Sequence, residues 1–258
     1  MNTTTFLLKY WHLNYLVILI IIGITVFHYI TNGYRMTQKS PRIFIALILF
    51  ILVTISPLDY LSKSYLFSAH MVQHIVLLLI IPPLLLTGTD ENFLEKVIRR
   101  KYFRNAGHFL FYPLIAWIIG VGSMYIMHLP GMGMSMSNIA TNIQIIILPL
   151  LGLVFIWPVF TPVNYGKLEP LQSALYLFLS CVGCTVLGIL IAFSPDKMFA
   201  SGMQSANPDL IKMIQSDWGI TDSTDQMMGG LIMWVPACII YLTNIMIVLF
   251  RWFTRQTA

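Results

Sequence analysis

Seven long apolar runs separated by short polar segments constrain this chain more than any other feature. They fall at about 15–30, 43–57, 66–86, 109–128, 143–160, 171–193 and 226–250. A helix of roughly 20 apolar residues crosses a hydrocarbon core about 30 Å thick. Inside a bilayer the backbone must satisfy itself, so only helices or closed barrels can span it. These runs lack the two-residue alternation of barrel strands, which leaves helices. The reading is an all-α integral membrane protein, a seven-helix transmembrane bundle forming one domain over residues 1–258.

Composition agrees with that reading. Hydrophobic residues make up 57% of the 258 positions and charged residues only 10%, against about 25% charged in a soluble domain. Mean hydropathy is +0.78. The net charge of +5 sits in short loops, so its counterpart is the anionic lipid surface rather than nucleic acid. Cys181, Cys184 and Cys238 all lie in apolar segments, which argues against a disulfide framework. The first apolar run is long and lacks a small-residue cleavage site, so no cleavable signal is expected.

Lys and Arg set the expected orientation. With the N-terminus outside, eleven of the fifteen fall in cytoplasmic segments, among them Arg42, Lys96, Arg99, Arg100 and Arg251. The positive-inside rule thus selects N-terminus out and C-terminus in, which requires an odd number of crossings. The polar segment at about 194–225 is then extracytoplasmic and is expected to cap the outer face.

This topology gathers the histidines. His70 and His74 are four apart in the third run and share one helical face. His128 ends the fourth run and opens a turn with Met132, Met134 and Met136. The seventh run opens with Asp225, Gln226, Met227, Met228, Gly229 and Gly230, followed by Met233. Imidazole with thioether suits copper, and thioether favours Cu(I). Histidines in a span are costly and usually functional. The expected metal ligands are therefore His70, His74, His128, Met132, Met134 and Met136. Asp225 is either a ligand or a partner that orients an imidazole; Met227, Met228 and Met233 are additional candidates. Met71, Met124 and Met246 read as ordinary core filler.

Cys181 and Cys184 form a CxxC in the sixth run. Two thiolates would hold Cu(I), but Cys and Gly also favour close helix packing, and packing is the preferred reading. His12 and His108 read as interface residues, and His28 has no histidine partner at its depth. The eight lysines all fall outside the cores of the spans, which excludes a retinal Schiff base.

His70-Met71-Val72-Gln73-His74 followed by Ile80-Ile81-Pro82-Pro83 resembles the CtaG family, the polytopic cytochrome c oxidase assembly factors of Gram-positive bacteria. Ser56-Pro57-Leu58-Asp59, His128-Leu129-Pro130 and Asp225-Gln226 with Gly229-Gly230 and Met233-Trp234 extend the resemblance over about residues 40–250. The matched positions are His70, His74, His128, Asp59, Asp225 and Gln226. The resemblance implies a non-enzymatic factor in a bacterial cell membrane that helps copper reach the copper B centre of a haem–copper oxidase subunit I. A copper-donating chaperone would be a further partner. Two alternatives stay open: a copper permease and, less favoured, a haem-binding membrane protein. Histidines four apart on one helix cannot supply both axial ligands of one haem, which counts against the last.

Overall fold

The structure, a computed structural model, describes residues 3–31, 36–100, 107, 109–129, 138–195 and 207–256. Among these residues every regular element is helical. The helices are α1 (Thr3–Lys9), α2 (Tyr15–Thr31), α3 (Ser40–Thr54), α4 (Pro57–Ser64) and α5 (Phe67–Ile75). There follow α6 (Ile81–Gly88), α7 (Glu91–Ile98), α8 (Pro113–Met127) and α9 (Asn138–Phe160). The last are α10 (Pro170–Ala192), α11 (Pro208–Lys212) and α12 (Asp222–Gln256). Each apolar run of the sequence is largely helical, the third running through α5, a π turn and α6.

Length separates these helices. Phe67–Gly88, Asn142–Phe160, Pro170–Ala192 and Asp222–Thr254 are long and apolar enough to cross a membrane. Ser40–Thr54 and Pro57–Lys63 make a fifth crossing if the pair, bent by 51°, is one span. Tyr15–Thr31 and Pro113–Met127 are apolar but shorter. Among the described residues, four or five crossings follow from length and composition, so the expected count of seven exceeds what these criteria establish.

Proline placement explains several boundaries. Pro57, Pro113, Pro170 and Pro208 each open a helix, where the missing N–H costs nothing and the fixed φ suits the first turn. The bend before α4 arises at Ser56, whose hydroxyl accepts the Leu58 N–H (3.2 Å) and starts a new helix. Between α5 and α6 the backbone runs through a π turn, Val76–Ile80. Pro82 and Pro83 cannot donate to the carbonyls of Leu78 and Leu79, and the wider turn absorbs that loss. A Cβ at Gly152 would lie 2.3 Å from the Leu78 oxygen, so α9 approaches this turn closely.

The main core runs through α3, α5, the π turn, α6, α8, α9, α10 and α12. A second cluster packs Phe6 of α1 and Leu61 of α4 against Tyr65, Leu66, Ala69, Leu210, Met213 and Ile214. It covers the end where α5 and α12 start and α8 and α10 finish. The described part of the expected cap, α11 and the turn after it, lies here. Leu19, Ile22, Leu175, Phe178, Val186, Leu242 and Phe250 stand exposed on α2, α10 and α12, as a lipid-facing surface requires.

Arg42 donates to the Thr87 carbonyl (2.9 Å) at the opposite end, beside α7. A cavity of about 610 Å³ opens among α2, α3, α6, α7 and α9. Its walls are apolar apart from His28, Thr31 and Thr89, and neither His70, His74 nor His128 lines it.

Candidate metal centre

The third apolar run could begin its helix only with its first backbone N–H groups satisfied. Asp225, from the first turn of α12, supplies the acceptors. Its carboxylate accepts the N–H of Phe67 (2.6 Å), the N–H of Ser68 (3.0 Å) and the Ser68 hydroxyl (2.5 Å). An anion at a helix N-terminus also meets the positive end of the helix dipole. Gln226 works at the neighbouring helix end: its amide donates to the Ser194 carbonyl (3.1 Å) and to that of Ile191 (3.4 Å). Both residues therefore tie helix ends together around the cluster.

From that start α5 carries His70 and His74 on one face. Their rings lie 4.4 Å apart between centroids, and His74 lies 5.2 Å from the His128 ring. His74 and His128 are buried and His70 half-buried. His128 Nδ1 donates to the Met124 carbonyl (2.6 Å). A carbonyl can only accept, so the proton sits on Nδ1 and the Nε2 lone pair is left for a ligand. That Nε2 faces Met71 Sδ at 3.2 Å. The Gln144 side-chain amide of α9 donates to His74 Nε2 and to His70 Nε2 (3.4 Å). Three imidazoles and one thioether thus meet beside a buried amide.

Among the described residues, no group of three or more His, Cys, Asp or Glu is already arranged to hold a metal ion. The donor types nevertheless suit a soft ion, since imidazole and thioether are what Cu(I) prefers. The Gln144 N–H₂ bridges two imidazole lone pairs, which is a cation's position in hydrogen-bond terms.

Other expectations fall out differently. Met132, Met134 and Met136 lie outside the described residues, as does His108. Met227 and Met228 point outward from α12, 47% and 37% exposed, while Met233 is buried. Asp59 is fully buried on the other side of α5. It pairs with Lys63 (2.5 Å) and His12 (3.0 Å) and accepts from Gln73 (2.9 Å). Gln73 in turn donates to the Val53 carbonyl and accepts from Ser62 (2.7 Å). Asp59 thus anchors α4 and the chain before α2 to α5, away from the imidazoles. His28 is buried against Ser40 (2.9 Å).

Cys181 and Cys184 do not face a common point. Cys181 Sγ meets Cys238 Sγ of α12 at 2.6 Å, whereas Cys184 Sγ meets Met124 Sδ at 3.4 Å. The packing role of the glycines is direct. A Cβ at Gly188 would lie 2.8 Å from the Gly230 oxygen, and one at Gly230 would lie 2.7 Å from the Gly188 oxygen. Only glycine lets α10 and α12 come this close.

Sequence reasoning passed over Met71 and Gln144. Gln144 had a readable signal, a lone amide in an apolar run. Met71 had none, because a methionine beside a histidine reads as filler until the neighbouring helix is placed.

A family model described as cytochrome c oxidase caa3 assembly factor matches residues 43–255. No curated protein and no solved structure matches the chain. The matched stretch runs from α3 to the end of α12 and contains every residue of the imidazole cluster. The chain belongs to the Caa3_CtaG family of cytochrome c oxidase caa3 assembly factors.

Proposed function

We propose that this assembly factor carries copper, as Cu(I), for the copper B centre of oxidase subunit I. His70, His74 and His128 hold the ion, with Met71 as the sulfur donor. The observation that supports this most is the meeting of three imidazole rings and a thioether at one end of an apolar bundle. Histidines so placed are expensive unless they have a task. Copper here is cargo, so the ligands must release it. A site in which Gln144 can retake the imidazole lone pairs lowers the cost of departure.

The bundle crosses the membrane seven times in this reading, with the two shorter apolar helices completing the count. Arg42, Lys96, Arg99 and Arg100 lie toward the end opposite the cluster, so the charge rule puts the imidazoles outside and the C-terminus inside. Met132, Met134 and Met136 follow His128 in sequence and serve as collecting ligands, loaded by a copper-donating chaperone. The factor is non-enzymatic, and its site is the plasma membrane of a bacterium.

Metal analysis of protein purified under reducing conditions tests the site. The His70→Ala/His74→Ala protein should retain less copper than wild type; equal copper in both would sink the assignment. In cells lacking the factor, the oxidase should contain haem but no copper B. A copper permease is the second reading, favoured by sulfur groups continuing beyond the cluster along α8 and α10. Copper accumulation in sealed vesicles separates the two.

A further inference from the structure

The sulfur donors do not stop at Met71. Met124 lies one helical turn into α8 from His128, and its carbonyl holds the His128 Nδ1 proton. Its Sδ faces Cys184 Sγ of α10 at 3.4 Å. The Tyr241 hydroxyl of α12 meets the same thiol at 3.5 Å. Met124 is 4% exposed, and Cys184 and Tyr241 are 1% exposed each. Tyr125 fixes α8 against α10 at this level by donating to the Gly183 carbonyl (2.8 Å).

Buried Met and Cys are ordinary core residues. Two features set this pair apart. A buried phenol normally finds a strong acceptor, yet among the described residues the Tyr241 hydroxyl meets a thiol, a weak partner. The pair is also tied to His128 through the Met124 carbonyl, so the residue that offers the sulfur also orients the imidazole. Cys181 and Cys238 face each other further along the helices, which leaves Cys184 as the thiol turned toward Met124.

We infer that Met124 and Cys184 form a second soft-metal station that receives Cu(I) from the imidazole cluster. The identity of the ion rests on the copper reading above. On loading, Cu⁺ replaces the thiol proton: Cys184–SH and Cu⁺ give Cys184–S–Cu and H⁺. Met124 Sδ donates a lone pair, the proton leaves to the buffer, and copper stays Cu(I). The loaded station carries no net charge, which suits a low-dielectric interior. Neutral imidazoles around Cu⁺ keep one positive charge, so moving the ion inward trades a charged site for a neutral one.

The experiment is an anaerobic titration of the reduced full chain in detergent with Cu(I) held by a competing chelator. Wild type should bind two ions, one of them with release of a proton and an ultraviolet sulfur-to-copper charge-transfer band. Cys184→Ser should lose that band and one ion, and Met124→Leu should weaken the same ion at least tenfold. Met124→Leu conserves volume and carries the test if Cys184→Ser does not fold. The His70→Ala/His74→Ala protein and the Cys181→Ser/Cys238→Ser protein should each keep the band. A single ion unaffected by Cys184→Ser, or a band lost only with Cys181 and Cys238, overturns the station and leaves copper at the imidazoles. No bound Cu(I) in wild type overturns both.

Discussion

Asp225 holds Ser68 by both its backbone N–H (3.0 Å) and its hydroxyl (2.5 Å), across 157 positions of sequence. The start of the last helix thereby fixes the start of the helix that carries His70 and His74. The carboxylate is 1% exposed, and charged hydrogen bonds in such a place are stronger than neutral ones.

Asp225→Ala should therefore cost about 2–4 kcal/mol, combining a lost helix cap with buried N–H groups left unpaired. Asp225→Asn keeps one acceptor oxygen and should cost less. Thermal unfolding in detergent measures both. If Asp225→Ala unfolds like wild type, the cap is not what holds α5 in place.

Asp59 predicts a different pattern. Removing the carboxylate by Asp59→Ala leaves the Lys63 ammonium and the Gln73 amide without it, at about 3–5 kcal/mol. Replacing both charges, as in Asp59→Leu/Lys63→Met, should recover much of that loss, because desolvation is then avoided. The comparison is a double-mutant cycle on unfolding midpoints. Strict additivity of the two single variants would argue against a coupled pair.

Gly230 faces backbone on its partner helix. A Cβ there would lie 2.6 Å from the Ala192 nitrogen and 2.7 Å from the Gly188 oxygen, and backbone cannot swing away as a side chain can. Gly230→Leu should push α10 from α12 and destabilise by about 1–3 kcal/mol or more. Gly23, with nothing within 4 Å of its added Cβ, is the control: Gly23→Ala should be neutral or slightly stabilising. Melting curves of the two variants settle the contrast.

Gln144 gives a prediction with opposite signs for the two states. Gln144→Leu removes the donor from His70 and His74, so metal-free protein should lose about 1–3 kcal/mol. Copper no longer competes with an amide for those lone pairs, so the shift of the unfolding midpoint on adding Cu(I) should exceed that of wild type. An equal shift in both proteins would mean that Gln144 does not occupy the ion's place.

Met71→Leu conserves volume and should change stability by only about 1 kcal/mol. If its sulfur joins the imidazoles, copper affinity should fall about tenfold or more, since thioether is the softest donor beside them. A competition titration against a Cu(I) chelator reads this directly; unchanged affinity returns Met71 to the core.

The helices themselves were legible in the amino-acid order. A bilayer demands long apolar runs, and apolar length, proline position and Lys/Arg bias are local properties that survive without a third dimension. His70 and His74 were legible for the same reason, because four residues on one helix share a face whatever surrounds it. The bend at Ser56 was less so: a short second run did not show that Pro57 starts a separate amphipathic helix.

What only the tertiary structure decided is which residues from different helices meet. Asp225 could orient a ligand or be one, and packing of α12 on α5 turned its carboxylate to the backbone of Phe67 and Ser68. Asp59 belongs with the histidines to the positions that match the family yet lies behind them, on Gln73. Met71, Gln144 and the Met124–Cys184 contact depend on the rotation of α8, α9 and α10 about their own axes. In an apolar run nearly every face is hydrophobic, so periodicity cannot report that rotation. Glycine contacts such as Gly188 with Gly230 set it, by deciding which surfaces come close enough to touch.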